Sequence, residues 1–425
     1  MTRKSRRDFI RASSLLVAGG AMTGGLGGSR SSRAFGGDLI RVGLIGCGSA
    51  GKETLVELLD TTTGPVKLVA MADAFGDRIQ AAFRQLRSRH QARVDVSREH
   101  RFVGLDAYQS LLSVDLDLVV LAAPPAFLPL HFEAAVAAGK HVFMEAPVAV
   151  DAPGVRRVLQ TGAAAAENSL AVAVGLRHRH ERVHRDTIAQ LRNGVIGKPV
   201  MLRVYRNGGC LRARQRHGGQ SELEYQLRNW HFFSWLGGDQ IVERQVHNLD
   251  VGNWLMNQFP IAVNAQAACR GQRRSGQMPG DTCDQFFCEY SYGDGTRMFS
   301  QCRHVPNCWN NVSEHVHATQ GRADISGGKI YGQTGERIWR TKGHRRGGRQ
   351  QDHDLMNALR QGAVPNETGY AAKSTLTAIM GRMAARSGRA VSWEEAFCSP
   401  VSLADIDALR SLENPAPLLP DTTGI

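Results

Sequence analysis

Glu243, His247 and Asp250 stand four and three residues apart in the segment Gly237–Asp250, so on a helix all three share one face. A carboxylate one turn from an imidazole can orient the ring and stabilise its cation, which makes His247 a candidate general base with Glu243 as its orienter. The bland alternative is a buried histidine beside a surface glutamate. Metal binding by the three is a weaker reading, because ligands within two turns of one helix converge poorly. Just upstream, Trp230 and Trp235 offer ring faces that could stack on apolar C–H patches, although aromatic runs are more often core. A second feature is Gly46-Cys47-Gly48-Ser49-Ala50-Gly51, whose glycine spacing suits a phosphate cradle. The first glycine permits a tight turn, the second lets the backbone approach a pyrophosphate, and the third lets a helix pack close to its strand. Asp73, 22 residues after Gly51, can accept from ribose hydroxyls and would repel a 2′-phosphate, which favours NAD over NADP.

These residues need elements to hold them. From Asp38 the chain alternates apolar strands (39–45, 66–72, 116–122, 141–144) with helical patterns (52–59, 77–90, 132–138, 154–166). Alternation at this pitch predicts a doubly wound parallel sheet, a Rossmann domain over residues 38–174. Beyond Gly175 the pattern changes. One long helix is expected from Gln240 to Met256, and Gln285–Tyr292 and Thr296–Arg303 read as a hairpin through Gly293-Asp294-Gly295. Two helices, around 353–361 and 374–387, close the chain. Residues 175–425 therefore read as an α+β domain with a mostly antiparallel sheet.

The 425 residues carry a formal charge of +13, which raises the question of an anionic partner. Residues 1–34 hold seven basic side chains against one acid, leaving +7 for the remainder. The clusters Arg212/Arg214/Arg216 and Arg345/Arg346/Arg349 sit in Gly/Gln-rich stretches without interleaved aromatics, unlike a nucleic-acid track. An anionic sugar or glycan is the better partner if those arginines bind anything. Ser5-Arg6-Arg7-Asp8-Phe9, a weakly apolar stretch and Ser32-Arg33-Ala34 read as a twin-arginine export signal with a small-residue cleavage site. That route carries folded proteins to the periplasm or cell exterior, where no soluble NAD pool is expected, so the cofactor should be held tightly. The eight cysteines are compatible with some disulfides after export but make no disulfide framework, and most read as small buried side chains.

The GCGSAG turn, FVGLDAYQSLL (Phe102–Leu112), AAPP (Ala122–Pro125), AAGKHVFMEAPVAVD (Ala137–Asp151) and Ser374–Ala396 resemble the Gfo/Idh/MocA family of glucose–fructose oxidoreductase and inositol dehydrogenase. The resemblance implies a cleft between the two domains, with Ala123, Pro124 and Glu145 beside the cofactor and a sugar or cyclitol hydroxyl as the reacting group. It also implies self-association through an open sheet face. One departure stands out. The family's Glu-Lys-Pro motif is Glu145-Ala146-Pro147 here, so the cation that lowers the hydroxyl pKa is absent. Arg177 and Arg179 are the first candidates to supply it, with Asp250 as a further substrate contact. An arginine gives charge but no proton transfer. Three outcomes stay open: a sugar oxidoreductase, an NAD-dependent glycoside hydrolase working by transient oxidation, or a non-catalytic nucleotide-binding relative.

Overall fold

The computed structural model describes residues 34–209, 211–269, 280–343 and 347–417, so the expected export segment falls outside the described residues apart from Ala34. Six strands form the first sheet: β1 (Ile40–Ile45), β2 (Val66–Asp73), β3 (Arg101–Val103), β4 (Leu118–Leu121), β5 (His141–Met144) and β6 (Val172–Val174). Their spatial order is β3-β2-β1-β4-β5-β6, every neighbour parallel. This is the Rossmann order, with its crevice where β1 meets β4 and the winding reverses. β4 (Leu-Val-Val-Leu) and β6 (Val-Ala-Val) are continuous apolar runs, and β1 and β2 are apolar but for Arg41 in the first and Lys67 and the terminal Asp73 in the second, because helices cover both faces.

The second sheet has nine strands: β7 (Pro199–Gly208), β8 (Ala262–Ala268), β9 (Gln285–Ser291), β10 (Arg297–His304), β11 (Asn311–Ala318), β12 (Gly321–Asp324), β13 (Lys329–Gly332), β14 (Arg337–Arg340) and β15 (Val391–Ser392). They lie in the order β14-β13-β12-β11-β7-β10-β9-β8-β15. Only β7 and β10 run parallel, so the sheet is mostly antiparallel as expected. The β9–β10 hairpin forms where Gly293-Asp294-Gly295 placed it, with the Gly295 N–H donating to Tyr292 C=O at 3.1 Å. One sheet face is buried under the Val246–Met256 and Thr368–Ser387 helices; the other presents Phe287, Phe299, Tyr205 and Trp309.

The last part of the chain returns to the first sheet. Leu355, Met356 and Leu359 of the Gly347–Gln361 helix join the core beneath β1, β2 and β4. Glu367 accepts from the Val174 N–H at 2.7 Å, and Thr375 Oγ1 accepts from Val148 N–H at 3.3 Å. These ties hold the Thr368–Ser387 helix, which covers the second sheet, against the end of the first.

One expectation is corrected. The helix expected from Gln240 to Met256 is two helices, Gln240–Glu243 and Val246–Met256. Asp239, at φ +77°, caps the first through the Gln240 N–H, and the buried Gln245 turns its amide to Ser300 Oγ at 2.9 Å and Val204 C=O at 3.3 Å. Those bonds to the sheet cut the helix at Arg244-Gln245. The cysteines follow the sequence reading: Cys269 and Cys283 form one disulfide, Cys47, Cys288 and Cys302 are buried free thiols, and Cys308 and Cys398 are exposed.

Candidate active site

A cavity of about 530 Å³ opens at the crevice and is lined from both sheets. Its first wall is the glycine turn. Gly46 has φ +94°, and a Cβ there would sit 2.5 Å from the Ala122 carbonyl, so the turn needs glycine. At Gly51 a Cβ would meet Gly46 O at 2.2 Å, the close helix–strand approach expected of that position. Gly48 differs: its φ is −71°, and a Cβ would meet nothing within 4 Å. That open space lies over the start of the Ser49–Leu59 helix, which has no side-chain cap and no acid in its first turn. Uncapped N–H groups, partial positive charge and clear space fit a dinucleotide's pyrophosphate.

Gly46, Gly48, Ser49, Ala50, Asp73, Ala123, Pro124 and Glu145 all line the cavity, as the sequence suggested. Cys47 and Gly51 do not. The Cys47 side chain points behind the turn, with Sγ 3.6 Å from Ala72 C=O, and burial pushes its thiol well above the usual range. Its backbone N–H donates to Asp73 Oδ2 at 2.7 Å, while Phe75 N–H donates to Oδ1 at 2.9 Å. Asp73 is thus fixed by the turn it serves and keeps lone pairs for ribose hydroxyls. Burial raises its pKa, against Arg78 and these two N–H groups.

The second wall holds His247. Its ring opens into the cavity with no hydrogen-bond partner among the described residues, and it stacks at 6.2 Å on His178. Burial first, then His178, Arg206, Arg177 and Arg244, push its pKa well below the ordinary histidine range. His247 is therefore neutral at neutral pH, the form a proton acceptor needs.

Glu243 is not its orienter. The helix break turns Glu243 to His231 Nδ1 at 2.8 Å and Arg244 Nε at 3.2 Å. Burial raises the Glu243 pKa, but the hydrogen bond and charge of His231 outweigh it and hold the carboxylate low. Asp250 is also reassigned, because it is buried, takes both arms of Arg179 at 2.7 and 2.8 Å, and accepts from Ser374 Oγ at 2.7 Å. Neither Asp250 nor Arg179, whose guanidinium covers the Tyr370 ring at 3.8 Å, lines the cavity. They brace the wall instead. The aromatic pair divides: Trp235 is 1% exposed and donates to Gln226 Oε1 at 2.7 Å, hence core, while Trp230 lines the cavity and stacks on His231 at 3.7 Å.

Ala146 lines the cavity between the walls, and the cation nearest its neighbour is Arg177, 3.9 Å from Glu145 Oε1. Glu145 itself accepts from Thr54 Oγ1 at 2.6 Å, and burial raises its pKa against the pull of Arg177. Sequence reasoning missed His178, Arg206, His231 and Arg244, all lining residues. Arg244 lies within the segment Gly237–Asp250, His231 next to Trp230, and His178 between Arg177 and Arg179. Arg206 carried no local signal beyond sharing the inward face of β7 with Leu202 and Val204. Behind His178, the ligand atoms of His178, Glu181 and His184 lie within 4.8 Å of one another. His184 there sits between Glu181 at 2.7 Å and Glu314 at 3.3 Å. Of the basic clusters, Arg216 pairs with Glu222 and covers Tyr225, whereas Arg345 and Arg346 lie outside the described residues.

Comparison with known proteins agrees with this geometry. Residues 40–176 match the GFO_IDH_MocA oxidoreductase family, described as an NAD-binding Rossmann fold. Inositol 2-dehydrogenase of Pseudomonas savastanoi pv. phaseolicola is 26% identical over 227 residues, 53% of this chain and 56% of that protein. The chain thus spans a little over half the length of the curated relatives it matches. Two solved structures share the fold over nearly the whole described chain. Aldose-aldose oxidoreductase from Caulobacter crescentus, complexed with glycerol, has a TM-score of 0.65 at 17% identity, covering 83% of this chain and 99% of its own. Levoglucosan dehydrogenase, in complex with NADH and levoglucosan, has a TM-score of 0.66 at 16% identity, covering 84% and 99%.

Proposed function

We propose that the protein, whose residues 40–176 match the NAD-binding Rossmann model of the Gfo/Idh/MocA oxidoreductase family, oxidises a secondary hydroxyl of a sugar or cyclitol. The observation that carries this reading is one cavity lined by both the glycine turn and the unpartnered, neutral His247. NAD, which the Gly46–Gly51 turn and Asp73 would hold, would supply the two-electron hydride acceptor. His247 is placed to take the hydroxyl proton as the C–H hydride leaves, so that the alcohol would become a carbonyl. Arg177, beside Glu145 and Ala146, contributes the positive charge that favours the alkoxide. Trp230 offers the sugar a stacking face.

We further propose that the protein is exported through the twin-arginine machinery to the periplasm or cell exterior, loses its signal near Ala34, and keeps NAD bound through turnover. The Arg6-Arg7 pattern supports export, and the Cys269–Cys283 disulfide suits an oxidising compartment. Tight retention requires a second carbonyl substrate to reoxidise the cofactor in place. Self-association through the open face bearing Phe287 and Phe299 completes the reading.

The test is direct. Purified protein is assayed for its extracted cofactor, then incubated with sugars, cyclitols and aryl glycosides. Reduction of bound NAD by a free sugar supports the proposal. Release of an aglycone with no net reduction replaces it with the hydrolase reading, and NAD bound without any turnover replaces it with a non-catalytic role. Lysine at both Arg6 and Arg7 should retain the protein in the cytoplasm; unchanged export would remove that part of the account.

A further inference from the structure

We infer that the substrate carries an acidic group, a carboxylate or a sulfate or phosphate ester, received by Arg206 and Arg244 on the His247 side of the cavity. The inference rests on the oxidoreductase reading and names its substrate class.

The charge inventory of that wall motivates it. Arg177, Arg206 and Arg244 line the cavity there, opposed by the carboxylates of Glu145 and Glu243. Both carboxylates already have partners: Glu145 takes the Thr54 hydroxyl, and Glu243 takes His231 and Arg244 Nε. Arg206 has no ion pair and no side-chain hydrogen bond among the described residues, although it extends from the inner face of β7 and is half-buried. Arg177 reaches its nearest carboxylate only at 3.9 Å. Burial and Arg244 weigh on the Arg206 guanidinium more than the charges of Glu314 and Glu243 relieve it, neither of them in direct contact, and its planar fork matches a carboxylate or sulfate in two parallel hydrogen bonds.

The cofactor's own phosphates do not account for these groups. The pyrophosphate is provided for by the Gly46–Gly51 turn and the helix behind it, on the first sheet. Arg206 comes from β7, and Arg244 from the break that precedes the helix of His247, both on the second wall. An anion seated between them lies on the side of the base. It also does chemical work there. Arg206, Arg177 and Arg244 disfavour a proton on His247, and a bound anion offsets that repulsion when the base must accept one.

The experiment uses the full protein saturated with NAD and two kinds of probe. Inorganic sulfate is titrated calorimetrically into wild type, Arg206→Gln and Arg244→Gln. Turnover is then compared for matched pairs: glucuronate against glucose, and glucose 6-sulfate and 6-phosphate against glucose. The inference expects sulfate binding that weakens tenfold or more in each variant. It also expects kcat/KM at least tenfold higher for the charged member of a pair, that ratio falling towards one in Arg206→Gln and at high salt. The uronate and ester arms separate the two sources of the charge. Sulfate binding that is absent, or equal in wild type and both variants, overturns the inference. So does reduction of NAD by neutral sugars as efficiently as by charged ones, a result that leaves the oxidoreductase reading intact. Failure to bind NAD sinks that reading instead, while the dependence of sulfate binding on Arg206 still decides the anion site. Melting curves check that Arg206→Gln is folded, and Arg244→Gln, at a side chain 30% exposed, decides the matter if it is not.

Discussion

Replacing Gly48 by alanine should leave the fold unchanged and weaken the binding of NAD. The backbone at Gly48 has φ −71° and ψ −168°, ordinary for any residue, and an added Cβ meets no atom within 4 Å. Alanine is a poorer N-cap than glycine by up to about 1 kcal/mol. It also restricts the unfolded chain, which returns about 0.4–1 kcal/mol. The net effect on stability is therefore close to zero. The methyl group does, however, fill the space over the uncapped helix N-terminus that a pyrophosphate must enter. Losing one charge-assisted backbone contact costs about 1.5–3 kcal/mol, or roughly 10–100-fold in affinity. Gly51→Ala is the contrasting control, because its Cβ would collide with Gly46 O at 2.2 Å and must lower stability itself. Calorimetric titration with NAD and urea melts of both variants check the reasoning. A Gly48→Ala protein that binds NAD like wild type would show that the space over the turn is not where the phosphates sit.

His247→Asn should lower kcat by about 10²–10⁴-fold, the usual worth of a positioned base, with a far smaller change in KM, read from single-turnover reduction of bound NAD. Because burial and three arginines hold His247 below the normal histidine pKa, the acid limb of the kcat/KM profile should lie below pH 6.5. Arg177→Gln should slow hydride transfer by tenfold or more, and Ala146→Lys in that background should restore part of it; no rescue would argue against a shared cationic role. His131, stacked against Tyr108 and Phe127, is pushed down to about 3 by burial. Its folded pKa is depressed, so the unfolded state alone takes up a proton between pH 6.5 and 3, and stability falls by about 1.4 kcal/mol per unit across that window. Urea melts at pH 7.5 and 5.5 should show a smaller acid loss in His131→Phe than in wild type. Cys269→Ser opens the loop closed by the Cys269–Cys283 disulfide and should cost about 2–4 kcal/mol, seen as a lower urea midpoint.

The cofactor half was legible because its determinants are local. Gly46, Gly48 and Gly51 act through their own backbone and the next turn of helix, and Asp73 closes the following strand. The strands flanking them are buried on both faces, so their apolar runs mark them directly. The catalytic half was legible only as a list of side chains. Spacing paired Glu243 with His247, but Gln245 bonds to β7 and β10, strands about 40 and 55 residues away in sequence, and that bond breaks the helix which the pairing required. Asp250 likewise looked available until Arg179, across the chain, claimed both its oxygens. Arg206 was silent because an inward arginine on a strand gains meaning only from what stands opposite. Short-range geometry made the cradle; long-range contacts took Glu243 and Asp250 away from His247.

The most direct test of the central claim is isotopic. Protein loaded with NAD is mixed, in a single turnover, with a substrate deuterated at the carbon bearing the reacting hydroxyl, and the cofactor is then extracted. The account predicts deuterium on the reduced nicotinamide in wild type and its loss in His247→Asn, with bound NAD present in both. Reduced cofactor without the label, or equal labelling in the two proteins, would contradict the assignment of this cavity as a hydride-transfer site with His247 as its base.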